Sequence, residues 1–89
     1  RIERIAMEVP EVDRVFVDSA QVLVLDFKTN RPTPATEAEV PTVYLSQMAA
    51  YRTLLQGVYP GRRVDCALIW TDGPRLMPLD PARLDTHAP

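Results

Sequence analysis

Residues 12–28, VDRVFVDSAQVLVLDFK, decide the fold. Two short runs rich in β-branched residues, Val15-Phe16-Val17 and Val22-Leu23-Val24-Leu25, flank the polar cluster Asp18-Ser19-Ala20-Gln21. That pattern is a β-hairpin with its turn at the polar cluster. If Val17 pairs with Val22 across the turn, Val15 falls opposite Val24 and Asp13 opposite Asp26. Side chains alternate along a strand, so Asp13, Val15, Val17, Val22, Val24, Asp26 and Lys28 share one face, while Arg14, Phe16, Leu23, Leu25 and Phe27 take the other. Both faces are largely apolar, as expected of central strands. Two facing carboxylates, with Cβ atoms roughly 4.5–5.5 Å apart, repel each other unless a counter-charge lies between them. A hard divalent ion such as Mg²⁺ takes carboxylate oxygens and keeps several waters, and Lys28 on the same face is placed to act on one of those waters.

Upstream of the hairpin, Ile2, Ile5, Ala6 and Val9 have helical spacing, but Ala6 to Val9 before Pro10 would equally end a strand. Pro10 forbids pairing at its own nitrogen and should close that element. After Lys28 the composition shifts abruptly. Residues 29–41, TNRPTPATEAEVP, hold prolines at 32, 34 and 41 and read as a surface connection, in which Thr36 and Glu39 have the spacing of a capping box. Pro41 suits the first turn of a longer helix running to about Gly57. Val43, Leu45, Met48, Ala49, Leu54, Leu55 and Val58 give that helix a packing surface, and Gly57 or Gly61 can end it. Gln47 and Tyr51 stand at i and i+4 and share a face with Tyr44. Residues 63–70, RVDCALIW, form a third strand. The turn Thr71-Asp72-Gly73-Pro74 leads into a short strand at about Arg75 to Leu79, and Asp80-Pro81 starts a short helix through Leu84. The order is that of an α/β domain whose helix permits a parallel crossover, giving a mixed sheet with a central hairpin and one packing helix.

Eighty-nine residues make one small domain, which buries about 60–65% of the surface its unfolded chain exposes. With 46% hydrophobic and 25% charged residues the composition is globular. No signal peptide is visible, and no apolar run approaches the roughly 18 residues that span a membrane. The single Cys66 excludes an internal disulfide and cannot alone hold zinc or an iron–sulfur cluster, so a reducing cytoplasmic setting is expected. In mid-strand Cys66 reads as a small core residue rather than a nucleophile, Trp70 as core or rim packing rather than a base-stacking platform, and His87 as part of a frayed tail. Arg31, Arg62 and Arg63 read as solvated loop charges. The net charge of -2 supplies no general basic field, so contact with nucleic acid must rest on a local site. A carboxylate cluster loaded with metal would serve, since it can meet a phosphate that bare carboxylates repel. The chain begins at Arg1 rather than methionine, as expected of a truncated or processed chain.

The string Val24-Leu25-Asp26-Phe27-Lys28-Thr29, with Asp13-Arg14 upstream and Gln47-x-x-x-Tyr51 on the following helix, resembles the nuclease domains of the PD-(D/E)XK superfamily in its RecB-like branch. The pattern there is Asp-Arg on one strand, Asp-Tyr-Lys-Thr on the next and Gln-x-x-x-Tyr on the helix. Three longer strings look like the carboxy-terminal end of the AddA family of bacterial helicase-nuclease subunits. They are Asp26 to Pro32, Tyr44 to Arg52 and Ala67 to Leu76, and the likeness runs from about Val12 to the end.

The resemblance implies a restriction-endonuclease-like core over residues 1–89, with 29–41 as a connection within it, and metal-dependent exonuclease action on DNA in double-strand break repair and recombination. It implies that Asp13, Asp26 and the backbone carbonyl of Phe27 hold Mg²⁺ or Mn²⁺, and that Lys28 orients or activates the attacking water. Gln47 and Tyr51 would hydrogen-bond phosphate or position the site. The implied partners are DNA, the rest of an AddA-like chain and its partner nuclease subunit, in the bacterial cytoplasm, with no membrane contact and no iron–sulfur cluster in this chain. Two departures bear on this. The family's glycine before the Asp-Arg strand is absent, and only twelve residues precede Asp13, where the family has an upstream helix carrying an acidic residue or histidine. No Gly-rich phosphate loop is present, so no ATP hydrolysis is expected from this chain alone. Two other readings stay open: a folded, non-catalytic module that docks within a larger DNA-repair assembly, and a free-standing RecB-like nuclease.

Overall fold

The turn at Asp18 sets the register of everything that follows. In the computed structural model, which describes residues 14–88, the Asp18 carboxylate accepts hydrogen bonds from the backbone N–H groups of Ala20 and Gln21, both at 2.8 Å. The Asp18 N–H closes the turn on the Gln21 carbonyl at 3.0 Å. Strands β1, Arg14–Val17, and β2, Gln21–Lys28, leave this turn antiparallel, with Val17 opposite Val22, Val15 opposite Val24 and Arg14 opposite Leu25. The register expected from the hydrophobic pattern is therefore present over the described pairs. Asp13, and with it the expected Asp13–Asp26 pair and the element preceding Pro10, lies outside the described residues.

Helix α1, Thr42–Val58, crosses back and places β3, Arg63–Trp70, parallel to β2, from Gln21 opposite Arg63 to Lys28 opposite Trp70. Strand β4, Arg75–Pro78, pairs antiparallel to β3 after a turn in which Gly73 adopts φ +71, a left-handed conformation natural to glycine. Among the described residues the sheet is mixed, in the order β1-β2-β3-β4. The short helix α2, Pro81–Asp85, is capped by the Asp80 carboxylate, which accepts from the Ala82 N–H at 2.9 Å.

One face of the sheet makes the core. Val22 and Val24 of β2 align with Val64, Cys66, Leu68 and Trp70 of β3 and Met77 of β4, and all are buried against Leu45, Met48, Ala49 and Leu55 of α1 and Leu84 of α2. Each fully buried leucine or methionine here stabilises the fold by roughly 1.5–3 kcal/mol relative to exposure. Helix α1 runs antiparallel to β3, with Tyr44 near Trp70, the Met48 carbonyl near Cys66 Sγ and Arg52 Nε donating to the Val64 carbonyl. Its amino-terminal end therefore lies at the carboxyl ends of β2 and β3. The other face is less covered. Phe16, Phe27 and Leu76 are exposed there, at 54%, 42% and 57%, so being apolar on both faces did not make these strands buried on both.

The connection 29–41 is a surface segment, as expected, but a tethered one. Thr33 Oγ1 donates to the Asp72 carbonyl, an Arg75 guanidinium N–H donates to the Pro34 carbonyl, and Glu37 accepts from the Asp80 N–H while pairing with Arg83 at 3.1 Å. The expected capping box is not formed. A single 3₁₀ turn spans Glu37–Glu39, the Thr36 side chain caps nothing, and Glu39 Oε1 reaches past Thr36 to the Ala35 N–H at 2.8 Å. The tighter 3₁₀ winding moves the Glu39 carboxylate off the α-helical position from which it would meet the Thr36 N–H. Pro41 stands just outside α1, with φ -52, and Gly61, at φ +82, follows its end. His87 is half-buried and its N–H bonds the Leu84 carbonyl, so it belongs to the turn after α2 rather than to a frayed tail.

Candidate functional site

The site lies where β2 and β3 end. Strand alternation brings Asp26 and Lys28 to the α1 face, one row apart, beside Leu68 and Trp70 of β3. Lys28 Nζ reaches Asp26 Oδ2 at 2.7 Å, with side-chain exposures of only 16% and 11%. A carboxylate and an ammonium withdrawn this far from water are tolerated because each compensates the other. The backbone at Lys28 is fixed as well, since its carbonyl accepts from the Thr71 N–H at 2.9 Å and from Thr71 Oγ1 at 3.2 Å.

Helix α1 contributes Tyr44. Its ring lies under the Lys28 ammonium, 4.1 Å from Nζ to the ring centre, and its hydroxyl donates to Asn30 Oδ1 at 2.8 Å. Behind it stands Trp70, tilted by 45° with ring centres 6.4 Å apart. Trp70 is fully buried, and its Nε1–H finds no acceptor among the described residues. It is a wall of the site and not a surface on which a base could stack, in keeping with its reading as core.

Of the residues singled out by sequence, Asp26 and Lys28 are thus brought together, on the face expected. Gln47 and Tyr51 lie further along α1; Tyr51 packs partly against the core and Gln47 is half-exposed. Among the described residues neither is hydrogen-bonded to Asp26 or Lys28; Tyr44 is the α1 residue that meets Lys28 directly. The sequence assigns no role to Tyr44 or Asn30, although Tyr44 shares a helix face with Gln47 and Tyr51 and both residues fall within the strings that carry the resemblance; their contact is made through the fold.

Among the described residues the oxygen donor at this point is the Asp26 carboxylate. Asp26 offers carboxylate oxygens at the strand ends, one of which already holds a positive group. Among the described residues no three His, Cys, Asp or Glu side chains converge. Asp26 alone offers one carboxylate, and a hard ion such as Mg²⁺ is commonly held through one or two carboxylates while it keeps most of its waters. Cys66 is removed from this chemistry, because burial pushes its thiol up to about 12 and its Sγ faces the Met48 carbonyl. The exposed arginines are engaged locally, Arg31 with Asp72 at 3.5 Å, Arg63 with Asp65 at 2.8 Å and Arg62 over the Tyr59 ring at 5.2 Å.

The arrangement is a buried acid–lysine pair at the carboxyl ends of parallel strands, the end where open α/β sheets commonly bind ligands. Compared with protein-family models, with curated proteins and with solved structures, the chain matches none.

Proposed function

We propose that the chain is a nuclease domain of the RecB-like PD-(D/E)XK type, with a restriction-endonuclease-like core, that hydrolyses DNA phosphodiester bonds using Mg²⁺ or Mn²⁺. The observation that carries this reading is the 2.7 Å Asp26–Lys28 pair, held largely out of water at the ends of β2 and β3. In this reading Asp26 supplies a carboxylate ligand, Asp13, outside the described residues, supplies the second, and the Phe27 carbonyl completes the protein's share. A divalent ion held there would supply Lewis acidity toward the phosphate and a more acidic bound water. Lys28 adds a fixed positive charge where charge develops on the phosphate oxygens, and Gln47 and Tyr51, further along α1, hydrogen-bond phosphate or position the site. The proposal extends, on the sequence resemblance alone, to a cytoplasmic AddA-like helicase-nuclease of bacterial double-strand break repair, with DNA, the rest of that chain and its partner nuclease subunit as partners. Among the described residues no helix is long and apolar enough to cross a membrane.

The second reading, a non-catalytic docking module, has its own observation: Phe16, Phe27 and Leu76 leave an apolar sheet face open. Purified chain incubated with linear DNA and Mg²⁺ or Mn²⁺ separates the two. The nuclease reading requires cleavage that Asp26→Ala or Lys28→Ala abolishes. Cleavage that persists in both variants refutes it, and a folded, metal-binding but inactive chain supports the docking module.

A further inference from the structure

The Asp26 carboxylate already carries the Lys28 ammonium on Oδ2, so a divalent ion arriving at the same carboxylate meets a like charge beside it. Lys28 would then need a second seat, or its charge would repel the incoming ion and swing out to solvent. The structure contains that seat. The ammonium lies 4.1 Å from the centre of the Tyr44 ring while it still touches Asp26, so it is already seated on the ring before any contact with the carboxylate is given up. A ring's negative face attracts a cation without offering it a counter-charge to neutralise, which leaves the ammonium's charge available to a third group.

We infer that Tyr44 is a positioning residue, whose ring holds the Lys28 ammonium at the strand ends when Asp26 gives up its oxygen to another cation. This role in catalysis rests on the nuclease reading. Three fixed points define the seat. The Tyr44 hydroxyl donates to Asn30 Oδ1 at 2.8 Å, setting the ring's angle; Trp70, fully buried, backs the ring at 6.4 Å; and Thr71 pins the Lys28 carbonyl, so that only the stem of the lysine moves. Tyr44 acts through Lys28 and need not touch DNA.

Nuclear magnetic resonance of the whole chain with ¹³C-labelled lysine tests the seat, with Lys28 assigned by Lys28→Arg. An ammonium and its ε-methylene over a ring face show upfield ring-current shifts. The wild-type Lys28 signals are expected upfield without metal and to stay upfield as Mg²⁺ is added. Tyr44→Phe keeps the shift and Tyr44→Leu loses it. Kinetics on linear DNA test the consequence: Tyr44→Leu is expected to lower kcat by about 100-fold, the loss that a misplacement of about 1 Å can cause, with KM for DNA little changed, and Tyr44→Phe to restore most of it. Lys28 signals without a ring-current shift, or shifted signals that leave the ring on Mg²⁺ addition, overturn the inference. So does a Tyr44→Leu variant that cleaves like wild type. Wild-type chain that neither binds Mg²⁺ nor cleaves DNA overturns the nuclease reading instead, and the seat then stands or falls on whether the shift survives in Tyr44→Phe and vanishes in Tyr44→Leu.

Discussion

Replacing Asp26 by Asn and Lys28 by Met, singly and together, tests the site without reference to activity. The pair is 2.7 Å apart and both side chains are more than four-fifths buried. A hydrogen bond to a charged partner contributes roughly 1.5–3 kcal/mol, and stripping one member from a buried ion pair costs roughly 3–5 kcal/mol. Lys28 keeps the Tyr44 ring and some contact with water, which offsets part of that cost. Each single change is therefore expected to cost about 2–3 kcal/mol out of a total stability of roughly 4–13 kcal/mol for a domain of this size. At about 4–8 °C per kcal/mol, the melting temperature of each variant should fall by about 8–24 °C. The double variant should be no worse than the worse single one, because removing both charges leaves neither exposed to an apolar wall. The coupling is then about 2 kcal/mol. Urea titration followed by the emission of Trp70, the sole tryptophan and fully buried, reads all four proteins. Salt should change the coupling little, since buried pairs are poorly screened. A double variant that loses the sum of the two single losses refutes the account of a mutually compensating pair.

Two further predictions concern the fold. Cys66 is buried with its thiol pushed up to about 12, so in the native protein at pH 8 it should resist a disulfide reagent and react only as fast as the domain opens, becoming quickly reactive in urea. As a raised value, this keeps its contribution to stability intact below the ordinary thiol range and loses it as pH rises toward 12; rapid labelling under native conditions would refute the burial. Hydrogen bonds from the Ala20 and Gln21 N–H groups hold the Asp18 carboxyl below its ordinary value of 3.8. That stabilisation is present above the ordinary value and disappears as pH falls through the lowered one. Asp18→Ala should thus melt below wild type at neutral pH, with the gap closing in acid; a gap independent of pH would show that the turn does not depend on the charge.

Much of this fold is legible because the hairpin is short and its two runs are apolar in step. A slip of one residue would turn Val22 and Val24 outward and Leu23 and Leu25 inward, and the polar Asp18 turn holds the pairing through hydrogen bonds local to the hairpin. The third strand and the helix follow from equally local signals. Periodicity could not say which face α1 would cover, because Leu23, Leu25 and Phe27 are as apolar as Val22 and Val24. The deciding contacts, Tyr44 on Lys28, Met48 at Cys66 and Arg52 at Val64, are made between residues well apart in the chain. The connection departs from its sequence pattern at Glu39 for a similar reason: a spacing of three names two residues that can meet in an α-helical turn, and the chain there winds more tightly.

The candidate site divides along the same line. Asp26 and Lys28 are two apart on one strand, so alternation alone places them on one face, and their meeting needs nothing beyond β2. What makes the pair more than a strand terminus comes from elsewhere in the chain. Trp70 is parallel to Lys28 through the β2–β3 register, Tyr44 arrives from the start of α1, Asn30 from the connection and Thr71 from the turn after β3. Three stretches of chain therefore meet around one lysine, that of Asn30 through Tyr44. A solvated strand end needs none of them, and its lysine would find its lowest free energy in water, where the four-carbon stem keeps its rotamer freedom. Here the stem is ordered over an aromatic ring, and the head is turned toward a carboxylate instead of toward bulk water. Ordering a lysine in this way costs about 2 kcal/mol of side-chain entropy, a cost the fold offsets with contacts from three stretches of chain. The sequence names the pair; only the convergence on it separates a built site from a fortuitous ion pair.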